Sequence, residues 1–361
     1  MKKFLCCMAL IVVPAAHAAD YQIEVVADKL SYPWSLAFLP DGSYLISLRL
    51  GEVRRISADG ELGEPIAGGP PTYFLPKQSG YFDLALAPDF SESGIVYLAY
   101  AEGNADAHGT ALMRARLVGN RFEDAETIFR AAPSIDTPYH FGGELRFLPD
   151  GTLLLTTGDG FDFREASQDT HSHLGKIIRL NQDGSAPADN PFADGKDGDP
   201  LVYSYGHRNT QGLALDPATG AIYMHEHGPK GGDELNLIKP GANYGWPVTS
   251  YGVNYSGDLV TPLTQAPGIT DPLHYWVPSI APSGLAFYSG DMFPEWRGDL
   301  LVGALVGRNL HRLDMEDGKV VGEEKLLAMY LYRIREVRQG PGGEVYFLDD
   351  GPQGQVLRIS R

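Results

Sequence analysis

LAFLPDGSYLIS, from Leu36 to Ser47, returns almost unchanged as LRFLPDGTLLLT from Leu145 to Thr156. Each copy reads as a short apolar strand, a Pro-Asp-Gly turn and a second β-rich strand, since proline and glycine set the turn while the flanking residues favour extended backbone. The unit recurs with looser turns as LALAPDFSESGIVYLA from Leu84, LALDPATGAIYM from Leu213, LAFYSGDMFPEWRGDLLVGA from Leu285 and VRQGPGGEVYFL from Val337. A hairpin of this size cannot bury both of its faces, so six copies in one chain require an architecture in which neighbouring units cover one another.

A further alternating strand follows the hairpins: GEVRRIS from Gly51, ALMRARL from Ala111, GKIIRLN from Gly175, DELNLIK from Asp233, NLHRLDM from Asn309 and QVLRISR from Gln355. Nothing long in the chain carries a helical stripe. Small β units repeated in a row are the material of a propeller, and six of them predict a six-bladed β-propeller, an all-β domain over residues 19–361. YQIEVVA from Tyr21 is the candidate strand to close the ring against the C-terminal unit. Copies are spaced unevenly, so the longer intervals hold loops, and in a ring those loops gather at the mouths of a central channel.

Residues 1–18, MKKFLCCMALIVVPAAHA, combine a Lys2-Lys3 head, an apolar run and a small-residue cleavage site, the pattern of a secretory signal peptide. The expected mature chain starts near Ala19 in the periplasm or outside the cell. Both cysteines, Cys6 and Cys7, lie in that leader, so no disulfide is expected in the domain. The full chain carries 29 basic and 46 acidic residues; losing Lys2 and Lys3 leaves 27 against 46, a net charge of −19. Such an acidic chain is a poor match for nucleic acid or an anionic membrane, and no later apolar run is long enough for a transmembrane segment.

Polar groups collect just ahead of the repeats: Gln78 in KQSGYFDLAL, His140 in YHFGGELRF, Arg208 and Asn209 in GHRNTQG, Trp276 in YWVPSIAPSG, and Arg333 with Arg335 in YRIREVR. Equivalent positions of a ring face one another, so these residues are expected to converge. Arginines with amides suit a planar anion bearing several carboxylates, because guanidinium forks match carboxylate geometry. A histidine beside such a ligand is a candidate general base. The loop HGPKGGDELN, with Asp233 and Glu234 among glycines, suits a hard cation with oxygen ligands, calcium first.

HFGGEL, YGHRNTQGLALDP, HGPKGGDELN, NYGWP, NYSG and RIREVR, in this order, resemble the soluble PQQ-dependent aldose sugar dehydrogenases, relatives of soluble quinoprotein glucose dehydrogenase. The resemblance spans essentially the whole chain after the leader and implies a six-bladed propeller that oxidises the C1 hydroxyl of small-molecule aldoses to lactones. It implies His140 as the base, Arg208 and Arg335 as catalytic cations, and Gln78, Arg208, Asn209, Tyr255, Trp276, Arg333 and Arg335 as PQQ-binding residues. It further implies calcium at Glu234 and the Tyr244 carbonyl, with Gly228 and Pro229 near a calcium that touches PQQ.

Two positions depart from the pattern. Val306 stands where relatives often have a cofactor-side lysine, with Arg308 the candidate to replace it, and Glu144 stands where an arginine is common. These departures keep a second reading open, a non-catalytic sugar- or protein-binding propeller that has lost PQQ. A calcium-dependent lactonase is a third. The electron acceptor leaves no motif in the chain.

Overall fold

The computed structural model describes residues 21–73 and 77–361. The leader expected at residues 1–18 lies outside the described residues. Among them, no helix is long and apolar enough to cross a membrane.

A first strand, β1 (Gln22–Leu30), precedes the repeats. Blade one is β2 (Pro33–Phe38), β3 (Tyr44–Leu48), β4 (Glu52–Ile56) and β5 (Leu62–Pro65). Blade two is β6 (Tyr81–Leu86), β7 (Ile95–Gly103), β8 (His108–Val118) and β9 (Arg121–Arg130). Blade three is β10 (Gly142–Phe147), β11 (Leu153–Thr157), β12 (Lys176–Leu180) and β13 (Val202–Tyr205). Blade four is β14 (Thr210–Leu215), β15 (Ile222–Glu226), β16 (Asp233–Ile238) and β17 (His274–Trp276). Blade five is β18 (Pro282–Phe287), β19 (Leu300–Ala304), β20 (Leu310–Glu316) and β21 (Lys319–Leu326). Blade six is β22 (Ile334–Gln339), β23 (Val345–Asp349), β24 (Gly354–Ser360) and, as its fourth strand, β1.

The six-bladed propeller is therefore as expected from the repeats, and so is the closure. β1 runs antiparallel to β24, with Gln22 opposite Ser360 and Val25 opposite Leu357. The two nearly identical repeats share their turn chemistry: the Asp41 carboxylate accepts from the Ser43 amide at 3.0 Å and Asp150 from the Thr152 amide at 2.9 Å. Gly42 and Gly151 follow at φ +84° and +82°, a conformation that the absence of a Cβ makes easy.

The hydrophobic core lies between blades rather than within one. Phe82, Tyr97 and Leu112 of blade two pack with Leu145, Leu155 and Ile178 of blade three, and Val337 and Phe347 of blade six pack with Leu301 and Leu310 of blade five. Each sheet buries both faces against its neighbours, so removing one blade would expose two others.

Because β2, β6, β10, β14, β18 and β22 all have six residues and ring the axis, equal positions along them form layers. The second layer, Trp34, Phe82, Gly143, Gln211, Ser283 and Arg335, sits at the wider mouth. Gly143 is glycine because a Cβ there would meet the Phe82 ring at 2.7 Å. The third layer holds Ser35, Asp83, Glu144, Gly212, Gly284 and Glu336, and the fifth adds Arg146 and Arg338. Arg338 ties Asp83 (2.9 Å) and Glu336 (2.8 Å) across blades two and six.

Glu144 thus belongs to a buried axial cluster of three acids and two arginines. Burial first, then Asp83 and Glu336, push its pKa well above the usual carboxylate range. With Glu144 protonated, two carboxylates face two guanidinium groups and the cluster is neutral.

Removing one partner from such a buried cluster is costly, so Arg338→Met is expected to lose about 3–5 kcal/mol in urea unfolding. Glu144→Gln mimics the protonated acid. Since the folded pKa of Glu144 exceeds the unfolded one, its contribution is present at low pH and lost as pH rises through the folded value. The glutamine variant should therefore match the wild type near pH 5 and gain on it near pH 8; an unaltered pH slope would mean Glu144 is ionised.

Candidate active site

The wider mouth opens on a cavity of about 410 Å³ at the centre of the ring. Trp34, Phe82, Gln211 and Arg335 reach it from innermost strands, and two kinds of loop supply further groups. Gln78, Asn209 and Arg333 sit one to three residues ahead of innermost strands, where the chain arrives from the previous blade. Arg49, Leu305 and Val306 come from turns between second and third strands.

Four cations line this cavity: Arg49, Lys77, Arg333 and Arg335. Their side-chain ion pairs, among the described residues, run to one carboxylate: Asp350 lies 3.0 Å from Arg333 Nε and 3.9 Å from Arg335 Nη2. Arg335 also donates to Gln211 Oε1 at 3.0 Å, and burial lowers its pKa to about 10. Nε of Arg49 and of Arg335 is buried without a hydrogen-bond partner. Trp34, Phe82 and Phe141 supply flat apolar walls. Excess cation, unpaired donors and aromatic faces together fit a planar ligand carrying several negative charges.

Gln78 reaches the cavity and accepts from the His140 amide at 2.8 Å. His140 itself stands at φ +59° and is only 5% exposed. Gly158 allows this conformation, since a Cβ there would lie 2.0 Å from the His140 carbonyl oxygen. His140 Nδ1 bonds Asp159 Oδ1 at 2.6 Å, while Asp159 Oδ2 accepts from Trp246 Nε1 at 2.8 Å. Burial opposes ionisation of Asp159, but His140 and Arg208 hold its pKa below the usual value. Burial and Arg208 lower that of His140. An ionised Asp159 can only accept, so Nδ1 carries the proton and Nε2 keeps its lone pair. The imidazole is thereby held toward its neutral form, with its proton on Nδ1.

The other expected residues are distributed as follows. Asn209 lines the cavity, and its Oδ1 accepts from the Gly142 amide at 3.3 Å. Arg208 turns away from the four cations into a second cavity of about 260 Å³, with its guanidinium over Trp246 and donating to the Gly228 carbonyl at 2.7 Å. Tyr255 and Pro229 line that second cavity too, Tyr255 stacked on Phe161 at 6.3 Å.

Trp276 is in neither cavity. It ends β17, the outer strand of blade four, with its ring edge-on to His274 at 4.7 Å and Nε1 donating to Glu323 at 3.1 Å. It lies six residues ahead of β18, too far for the shared offset, and at that offset blade five presents Ala281.

Beside Arg208, Glu226 of β15 pairs in register with Glu234 of β16. Burial, then Glu226, push Glu234 well above the usual carboxylate range. A cleft of about 10 Å³ between them also touches Gly228, Tyr244 and Ser250, room for about one water-sized occupant. Two facing carboxylates suit a hard cation, although the described residues hold no cluster of three or more acidic, His or Cys side chains placed for a metal. Asp233 points elsewhere, accepting from the amides of Gly228, Ile280 and Ala281 and from the Ser279 hydroxyl. It clamps the loops of blades four and five together.

Val306 lies on the cavity wall, 63% exposed, and Arg308 is not among the lining residues. Lys77 and Arg49, which no motif singles out, supply the remaining cations. Lys77 adjoins Gln78 in KQSG, and Arg49 follows the strand YLISL at a blade end, so position is their only signal.

The propeller, its cationic channel cavity and the buried pair of His140 and Asp159 agree with an oxidoreductase of the aldose sugar dehydrogenase kind, the class to which the relatives belong. Residues 30–358 match the glucose/sorbosone dehydrogenase family model, and the chain belongs to that family. It is 40% identical to the aldose sugar dehydrogenase YliI of Escherichia coli strain K12, over 96% of this chain and 94% of the relative. A crystal structure of a glucose dehydrogenase superposes with a TM-score of 0.91 at 45% identity, covering 94% of this chain and 99% of the other. The PQQ-bound aldose sugar dehydrogenase of Streptomyces coelicolor gives 0.77 at 29% identity, covering 95% and 98%.

Trp276→Phe should leave sugar-oxidising turnover within about twofold while costing about 1 kcal/mol in thermal unfolding, the worth of its lost bond to Glu323. A loss of turnover without a loss of stability would return Trp276 to the site.

Proposed function

We propose that the chain is an exported PQQ- and calcium-dependent dehydrogenase that oxidises the C1 hydroxyl of aldoses to lactones, with His140 as the general base. The observation that carries this reading is the cavity of four cations, with one carboxylate partner among the described residues, next to a neutral histidine. Arg49, Lys77, Arg333 and Arg335 would hold the carboxylates of PQQ, and Gln78 and Asn209 its polar edge. When bound, PQQ supplies the acceptor for the C1 hydride.

The chain's own residues supply the rest. His140 Nε2 takes the O1 proton, and Asp159 fixes the tautomer and stabilises the imidazolium that results. Arg208, by lowering the His140 pKa, keeps the base deprotonated before the reaction. Phe161, edge-on to His140 at 5.1 Å, and Tyr255 offer an aromatic wall against which a sugar face can lie. Glu234, Glu226 and the Tyr244 carbonyl would ligate calcium. Such an ion would offset the burial and the neighbouring Glu226 charge that drive Glu234 toward protonation, and would brace the strands that present Arg208.

The binding-only reading draws on Val306 and Glu144. Lys77 supplies a cation to the same cavity that Val306 faces, and Glu144 lies in the axial cluster rather than on the cavity wall.

His140→Ala is expected to lower turnover by about 10²–10⁴-fold while PQQ titration of the apoprotein stays saturable. Because burial and Arg208 depress the His140 pKa, the acid limb of kcat/KM should fall below the free-histidine value of about 6.5. An unchanged rate in the variant would end its assignment as base.

For the cation, excess calcium should raise the melting temperature of the wild type and leave Glu234→Gln unmoved. At 100 times the dissociation constant the gain corresponds to about 2.7 kcal/mol. An equal gain in both would place any calcium elsewhere.

A further inference from the structure

The ring has a second mouth, separated from the first by the axial cluster. The innermost strands that present Gln211 and Arg335 at the wider mouth run on for three more residues, about 10 Å, to reach it. A cavity of about 290 Å³ opens there and shares no lining residue with the cavity of the proposed active site. Arg146 of blade three, Arg338 and Gln339 of blade six, and Leu215, Leu285 and Phe287 of blades four and five form its wall.

The acids of the axial cluster balance these two arginines in number but not in contact. Asp83 and Glu336 both pair with Arg338 Nη2, whose sister Nη1 is buried without a hydrogen-bond partner. Arg146 forms no ion pair among the described residues. Its Nη2 donates to the Leu213 carbonyl at 2.8 Å, and its Nε is buried without a partner. After burial, the charge of Arg338 is what most lowers the Arg146 pKa, so the two guanidinium groups lie close together. Gln339 Oε1 accepts from the Ser289 amide at 2.7 Å, which leaves Nε2 as an uncommitted donor among the described residues.

Guanidinium and amide donors that lack partners call for an anion, and a guanidinium fork matches a carboxylate in particular. The apolar walls give nothing to phosphate or to a hydrated sugar acid, but they can bury an alkyl or aromatic body. The cavity lies just under the range of about 300–1,000 Å³ typical of drug-sized ligands, so its occupant is small. The chain's net charge of −17 opposes the approach of any anion, yet that field is screened beyond about 8 Å at physiological salt, while guanidinium contacts act at short range.

We infer that the far mouth binds a small organic monocarboxylate with a branched-alkyl or aromatic body, its carboxylate on Arg146, Arg338 and Gln339 and its body against Leu215 and Phe287. Blades three and six face each other across the ring, so such a ligand bridges them and stabilises the closed propeller. No group of the wider cavity takes part, and the inference stands apart from the dehydrogenase reading.

The test is calorimetric titration of the mature chain, with and without PQQ and calcium. Benzoate is the probe, benzyl alcohol its uncharged counterpart and inorganic phosphate a bare anion. Benzoate is expected to fill a single saturable site in both preparations and to raise the melting temperature, with benzyl alcohol at least about tenfold weaker. Arg146→Gln removes the charge. Gln339→Glu keeps an acceptor for the Ser289 amide and adds a negative charge. Each should weaken benzoate at least about tenfold; if the first variant melts early, the second decides. No saturable binding up to about 10 mM overturns the site, and so does binding unchanged in both variants. Benzoate that is lost in Arg335→Gln, or displaced by PQQ, sits in the wider cavity and overturns it too. Phosphate bound as tightly as benzoate overturns the organic carboxylate and leaves an unselective anion contact.

Discussion

The axis of the ring is where the structure is most constrained. Six innermost strands must approach one another closely enough to exclude a through-channel, yet each brings a side chain to the same level. The molecule meets this by alternating bulk with glycine. Gly143 yields to Phe82, and a Cβ on Gly284 would lie 2.5 Å from Glu336 Oε1. That arrangement holds only while the ring is closed, and closure rests on β1 lying against β24 from the far end of the chain. A sheet edge left open at blade six would also be a site for wrong pairing.

Charge is distributed along the axis in a way that the overall acidity hides. The third and fifth layers nearly balance themselves, three acids and two arginines, with Glu144 pushed toward its protonated form by burial and its acidic neighbours. The cavity above is not balanced, since of its four cations only Arg333 and Arg335 have a carboxylate, Asp350, within ion-pair distance among the described residues. An imbalance of this kind is unfavourable for folding by itself, because desolvated guanidinium groups repel each other and lose water. It is tolerable when an anionic ligand completes it. The axial cluster and the cavity are therefore different objects despite their nearness: one nearly balances its own charge without a ligand and the other does not.

The fold was legible because each blade repeats one local pattern, and turn chemistry such as Pro40-Asp41-Gly42 is written in a few adjacent residues. The site was legible in part for the same reason. Gln78, His140, Asn209 and Arg333 all sit one to three residues ahead of an innermost strand, so repeat counting located them. Trp276 looked equivalent because it precedes a repeat, but the connection there is longer and Trp276 still belongs to the preceding blade. Lys77 and Arg49 gave no local sign, since a lone cation next to a strand looks the same whether it faces water or a cavity. Only the ring brings them together.

Val306 shows how the same substitution changes meaning with context. Considered alone beside a cationic cofactor site, an apolar residue is a deficit. In the folded chain Lys77 already contributes a cation to that cavity, while Val306 is well exposed and its amide donates to the Ile280 carbonyl. A lysine at this exposed position would stay hydrated and add a further cation to a cavity that Lys77 already serves. The deficit read from this turn alone is thus offset by a cation that the ring brings from the connection ahead of blade two.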